Sequence, residues 1–280
     1  MKSFIRKSKK NGLIRYIILT VMAIYTLFPI SFLVINSFKS QSEIVKTPLA
    51  LPKSLNFTYI INAIKEIDLA NSIWLTVLIT VVAVTLIVII SSSVAWMMVR
   101  YKSNVSSFML LFFTSSMLIP FQAVMYPLIS LFDNVGLKNV VGLILMYGGF
   151  GMSMSIFLYH GFMKSVPVAL EEAAIIDGAS VFQVYFKVIM PLVRPTTMTV
   201  IIMNAMWIWN DYLLPFLVIG NGEQKTLTLS IYFAKIQSGQ YGNAWDLIFP
   251  AVLITIIPII ILFLILQKNI IRGISDGAVK

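Results

Sequence analysis

No cysteine occurs among the 280 residues, which excludes a disulfide framework, a thiolate metal site and a cysteine nucleophile. A single histidine, His160, argues against a zinc enzyme and leaves any histidine relay resting on one residue. Charge is scarce as well: 11% of the residues are charged, and the 11 acids are outnumbered by 21 bases. Soluble domains carry about 25% charged and roughly 45–50% apolar residues. Here 59% are hydrophobic and the mean hydropathy is +0.91. So few charges cannot cover so much apolar surface in water, so a soluble enzyme is excluded. Disorder, collagen and coiled coil fall by the same arithmetic. What is left is an integral membrane protein.

A helix needs about 20 apolar residues to cross the bilayer core. Runs free of Lys, Arg, Asp and Glu cover 16–38, 69–99, 103–132, 139–163 and 247–267. A sixth apolar segment, 195–222, is broken by Asp211 and expected to span as the fifth helix. The expectation is therefore an all-α membrane protein with six transmembrane helices. The 21 bases lie between these segments, 14 on the side that holds both termini and 7 on the other. The excess places both termini in the cytoplasm of a multi-pass protein of the bacterial cytoplasmic membrane. The net charge of +10 then reports topology, and no basic groove with interleaved aromatics points to nucleic acid. The first run has 23 residues, longer than a signal-peptide core, and reads as a retained helix. The connection 39–68 reads as a small exposed loop.

Composition changes at 165–195. Ser165 is a candidate N-cap and Pro167 suits a first turn. Glu171 and Glu172 sit near the positive end of a helix dipole, and Gly178 can close that helix. Ser180 and Gln183 have capping-box spacing, so a second helix should start at once and run to Pro191. Two short helices meeting at a glycine are expected at the inner membrane face. Helices that merely lie on lipid headgroups are rich in Lys and Arg, whereas the first of this pair is acidic. An acidic knob of this kind suits a protein partner.

The run EAAIIDGASVFQVYFKVIMP resembles the E-A-A-x3-G-x9-I-x-L-P signature of binding-protein-dependent ABC transporter permeases. Glu172, Ala173, Ala174, Gly178 and Pro191 match, and Val188 and Met190 stand for the usual Ile and Leu. DGAS at 177–180, PLVRP at 191–195, WNDYLLP at 209–215 and the tail IIRGISDGAVK are similar to carbohydrate-uptake permeases of the maltose type. Length and helix count fit the smaller permease subunit. The resemblance implies the type I importer permease fold, with a coupling helix pair between helices four and five. It divides the chain into a basic N-terminus at 1–15, a permease domain at 16–268 that includes the 165–195 loop, and a tail at 269–280. It also implies that this loop docks on a separate ABC ATPase dimer, through Glu171, Glu172, Ala173, Ala174, Asp177, Gly178 and Pro191. Further partners would be a second homologous permease, an extracytoplasmic solute-binding protein and a carbohydrate substrate.

No G-x-x-x-x-G-K-[ST] phosphate loop exists in the sequence. The chain is therefore expected to be a non-catalytic subunit with no cofactor of its own, ATP and Mg being held on the ATPase. Asp211, the acid inside a span, is a functional candidate by default. With Trp207, Trp209 and Asn210 it could line a sugar path, or it could pack against a partner subunit. Two other readings remain at this stage: an ABC permease for a non-carbohydrate solute, and a secondary carrier that uses Asp211. Gly148, Gly149, Gly151, Ser153 and Ser155 on the fourth helix would allow close helix approach. Pro120, Pro127, Pro215 and Pro258 are expected to kink spans. No catalytic residue and no metal site is expected.

Overall fold

A computed structural model describes residues 2–220, 222–238 and 244–278. Val279 and Lys280, part of the expected tail, lie outside the described residues. The described residues form helices and connections, with no strand among them. The long helices are α1 (Lys2–Asn36), α4 (Leu69–Arg100), α7 (Val140–Met163) and α13 (Trp245–Ala278). Between them lie α2 (Gln41–Lys46), α3 (Thr58–Glu66), α5 (Asn104–Ser116), α6 (Phe121–Asn134) and α8 (Ala169–Ile176). They are joined by α9 (Val181–Leu192), α10 (Arg194–Asn210), α11 (Leu213–Ile219) and α12 (Leu227–Ser238). Contacts divide the chain into two compact units: Met1–Leu69 with Ile231–Ile257, and Ala70–Ser230 with Pro258–Lys280.

In the first unit, α1 leaves its apolar face exposed from Ile14 to Ile30, and burial begins near Leu33. The connection after it is more than an exposed loop. Lys39 is fully buried, and its ammonium donates to Asn36 Oδ1 (3.2 Å), Thr47 O (3.0 Å) and Pro48 O (3.3 Å). A buried cation needs such a ring of acceptors, and two of them are carbonyls just past the C-terminus of α2, where a positive charge is favoured. Ser40 caps α2, and Phe38 meets Phe57 edge-on at 5.4 Å. Asn36, Lys39, Ile44, Ala63 and Ile67 thus give 39–68 an interior of its own.

In the second unit, α7 packs against α5, α10 and α11. Small side chains on α4, Ala83, Ser91, Ser92 and Ala95, are buried, as close helix approach in a membrane requires. Gly151 on α7 serves the same end. A Cβ there would overlap Ile87 Cδ1 on α4 and lie 2.5 Å from Asn204 Oδ1 on α10.

The apolar runs do not all become straight spans. Three helices are long and apolar enough to cross a membrane: Ile14–Asn36, Leu69–Arg100 and Val140–Met163. Two bent pairs raise the number to five if each is one span. The run 103–132 folds as α5 and α6, bent by 103° where Pro120 ends the hydrogen-bond ladder. The pair Val181–Leu192 and Arg194–Asn210 is bent by 78°, beside Pro195. Within α13, the stretch Trp245–Ile261 is apolar but shorter than these three.

Candidate functional site: the 165–195 loop and the break at Asp211

The loop is built from three local devices. Ser165 does not cap α8. Its hydroxyl donates back to Phe162 O (2.7 Å), Val166 is buried, and the helix starts at Ala169 with Val168 as an N-cap that makes no side-chain bond. At the other end of α8, Gly178 has φ +86. Gly178 N–H donates to Ile175 O (3.0 Å) and Ala179 N–H to Ala174 O (2.9 Å), the paired bonds of a Schellman turn. Two residues later the capping box forms: Gln183 N–H donates to Ser180 Oγ (3.4 Å) and Ser180 N–H to Gln183 Oε1 (2.8 Å). Within α9, Val184–Ile189 winds as a π-helix, and Pro191 follows near its end.

The sequence treats Glu171 and Glu172 alike, but neighbours on a helix point about 100° apart, so only one can face inward. Glu171 does. It is 6% exposed and accepts from Arg100 Nε (2.7 Å) and Trp96 Nε1 (3.0 Å), both on α4. Glu172 is exposed, as are Ala173, Asp177, Gly178 and Pro191, while Ala174 is half-buried. Ile176, Val181 and Phe182 flank the turn and are 85%, 69% and 77% exposed. The outward face of the loop is therefore apolar with an acidic edge.

Asp211 ends α10 in extended geometry, φ −78 and ψ 131, and the chain restarts helically at Leu213. Its carboxylate accepts from Tyr147 O–H (3.0 Å) through Oδ2 and from Leu213 N–H (3.0 Å) through Oδ1. Its carbonyl accepts from Thr228 Oγ1 (2.7 Å). An unwound turn leaves backbone groups to satisfy, and Asp211 occupies one of them while drawing α7 to the break. The other three residues of this cluster diverge, because positions two apart on a helix lie about 200° apart. Trp207 is half-exposed and meets Tyr147 edge-on at 5.3 Å. Trp209 points the opposite way, into a cavity of about 520 Å³ whose lining includes Val84, Val88, Ala205 and Pro258. Its Nε1 is buried without a hydrogen-bond partner. Thr80 Oγ1 on the same wall is likewise buried without a partner, so the cavity is apolar but for these unpaired groups and the Thr85 hydroxyl. Asn210 is exposed and donates to Met206 O (2.7 Å). No group of three or more His, Cys, Asp or Glu able to hold a metal occurs among the described residues.

Residues 87–276, which include both the loop and the break, match the model of the binding-protein-dependent transport system inner membrane components. The chain belongs to that family. This permease is 39% identical to the probable starch degradation products transport system permease protein AmyC of Thermoanaerobacterium thermosulfurigenes, over 93% of this chain and 94% of that one. It is 34% identical to the multiple sugar-binding transport system permease protein MsmG of Streptococcus mutans, over 98% and 99%. In fold it is similar to a chain of a bacterial ABC transporter involved in the import of the acidic polysaccharide alginate. The TM-score is 0.79 at 22% identity, over 94% of this chain and 97% of that one. Arg100, Trp96, Ser92 and Tyr185 are the residues that sequence reasoning passed over. Arg100 counted there only as a topology charge, and nothing local ties it to an acid 71 positions later.

Proposed function

We propose that the permease is one membrane-spanning half of an ATP-driven importer that carries a carbohydrate, and specifically an oligosaccharide, across the bacterial cytoplasmic membrane. The names of its relatives support the solute class: starch degradation products, multiple sugars and, at 31% identity, the melibiose, raffinose and stachyose of a Bacillus subtilis permease. In this reading the chain crosses the membrane six times with both termini in the cytoplasm. The layout is a basic stretch at 1–15, the permease domain at 16–268 and a tail at 269–280. A second homologous permease completes the pathway, a solute-binding protein delivers the sugar from outside, and two ATPase copies hold ATP and Mg. The chain itself catalyses no reaction.

The outward face of the 165–195 loop carries this reading. A rigid turn, fixed by the Schellman bonds and the capping box, presents Ile176, Val181 and Phe182 beside Glu172 and Asp177. Apolar side chains exposed to this degree need a covering surface, and the acids select a basic rim. Such a pair, docked in an ATPase cleft, moves with the ATPase as the dimer closes, and the membrane helices follow into the outward-open state. Asp211 serves the helix break, which speaks against a carrier that loads protons or ions on it. Trp207 and Asn210, both exposed, are the residues of the break available to a sugar.

Proteoliposomes holding the whole complex provide the test. Uptake of a labelled maltooligosaccharide or raffinose-type sugar should require internal ATP and the external binding protein. Uptake driven by an ion gradient without ATP would contradict the reading.

A further inference from the structure

The inward face of the loop is held as firmly as its outward face is bare, and three parts of the loop bond to α4. Glu171 carries the first attachment, to the guanidinium of Arg100 and the indole N–H of Trp96. Arg100 Nη2 also donates to Val166 O (3.1 Å), at the entry to the loop. The third attachment comes from α9. Ser92 already donates to Val88 O, so Tyr185 O–H is the donor to Ser92 Oγ (2.6 Å), with Ile89 O 3.3 Å away. The Tyr185 ring lies against Trp96, centroids 5.6 Å apart. Val166, Glu171 and Tyr185 come from the entry, the first helix and the second helix of the loop. Their partners Ile89, Ser92, Trp96 and Arg100 form one stripe on α4, spaced by three and four residues and roughly 16 Å long.

This geometry has a mechanical consequence. The backbone joins the loop to α7 and to α10 but not to α4, so these bonds are its direct link to α4, beside the indirect one through the packing of α7 and α10 on α4 at Gly151. Part-buried, charge-assisted bonds of this kind are short and directional, and a forked guanidinium fixes orientation as well as distance. We propose that Arg100, Trp96 and Ser92 are positioning residues that rivet the 165–195 loop to α4 and make α4 a lever for ATPase-driven motion. The proposal rests on the reading of the loop as the ATPase-docking element. It assigns the two consecutive glutamates opposite duties: Glu172 faces the partner, and Glu171 locks the loop to the membrane helix.

The test compares sugar uptake and ATP hydrolysis on the same proteoliposomes of the complete complex. With Arg100→Met or Glu171→Gln, sugar carried per ATP should fall about tenfold while ATP hydrolysis persists. Conservative Arg100→Lys keeps the charge but loses the fork, and should recover only part of the ratio. The absence of cysteine from this chain allows a second readout that a role in folding alone would not move. Ser92→Cys with Tyr185→Cys, joined by a short cleavable thiol cross-linker, replaces one rivet by a covalent one. The linked complex should transport at least as well as the cleaved complex, which lacks the Tyr185–Ser92 bond, and linking should restore transport to the Arg100→Met variant. Transport blocked by the link would mean that the loop slides on α4, and an unchanged sugar-per-ATP ratio in Arg100→Met would mean that Arg100 transmits nothing. Either result overturns the lever. Should Arg100→Met fail to assemble, Ser92→Ala and Trp96→Phe carry the same ratio test, and two unchanged ratios reject the proposal. Loss of ATP-driven uptake in the wild-type complex would instead contradict the function on which it rests.

Discussion

Gly151→Ala is the sharpest stability test of how the membrane helices meet. The added methyl would overlap Ile87 Cδ1, sit 2.5 Å from Asn204 Oδ1 and lie 3.2 Å from Ile87 Cγ1. Carbon contacts settle near 3.5–4.0 Å, so both neighbours must retreat by about 1 Å. Both are side-chain ends, and relief takes a changed rotamer in a packed site. Ile87 is fully buried, and Asn204 is held by donating to Ser155 Oγ (3.1 Å) and Val200 O (2.8 Å). Overpacking of this kind costs about 1–3 kcal/mol, and a lost interhelical hydrogen bond in a membrane adds about 0.6. The better helix propensity of alanine offsets at most about 1 kcal/mol. Gly149, two residues earlier on the same helix, is the control, since a Cβ there meets nothing within 4 Å. Gly149→Ala should be neutral or slightly stabilising, so the two variants should differ by about 2 kcal/mol. At roughly 2–4 °C per kcal/mol, that is a Tm difference of about 4–8 °C. Thermal unfolding followed by tryptophan fluorescence in detergent measures it. Equal melting of the two variants would refute the close approach of α4, α7 and α10 at Gly151.

Three further predictions follow from single residues. Asp211→Ala should lower the yield and melting temperature of the complex, by about 1–3 kcal/mol for the loss of a charged acceptor, and leave the KM for sugar unchanged; a raised KM at normal yield would place Asp211 in the sugar path. Lys39→Met leaves Asn36 Oδ1 and Thr47 O without this donor and should destabilise 39–68 by about 1–3 kcal/mol, seen as faster amide exchange there, whereas unchanged exchange would contradict the buried ring. Gly178→Ala forces a side chain into φ +86 with no clash to relieve, and should cost about 1–2 kcal/mol of local stability; Gly178→Asn should cost less, and equal exchange rates in the two variants would show that the turn does not hold its left-handed residue.

What could be read from the sequence was what is local. Gly178 as a stop and Ser180 with Gln183 as a capping box are decided within four residues, and both form as read. The cap at Ser165 failed because Val166 is drawn into the interior and moves the helix start to Ala169. Apolar length suggested one span over 103–132 with a kink at Pro120, and the chain does bend there, by 103°. Lys39 was counted as a loop charge because charge favours water. Only the fold brings three acceptors around it and allows burial. The same limit hid the Arg100–Glu171 pair: the sequence shows two charges, and the approach of α4 to α8 across 71 positions makes them partners.

Purification of the tagged permease from its native membrane in a mild detergent, with the accompanying proteins identified by mass spectrometry, tests whether the chain works as one half of an ATP-driven complex. A P-loop ATPase and a second multi-span permease should come with the wild-type chain. The ATPase alone should be lost on Glu172→Lys, which reverses an exposed charge and leaves the buried Glu171 untouched. Recovery of the chain by itself or only with copies of itself, in every detergent that keeps it folded, would contradict its role as an ATPase-coupled importer subunit.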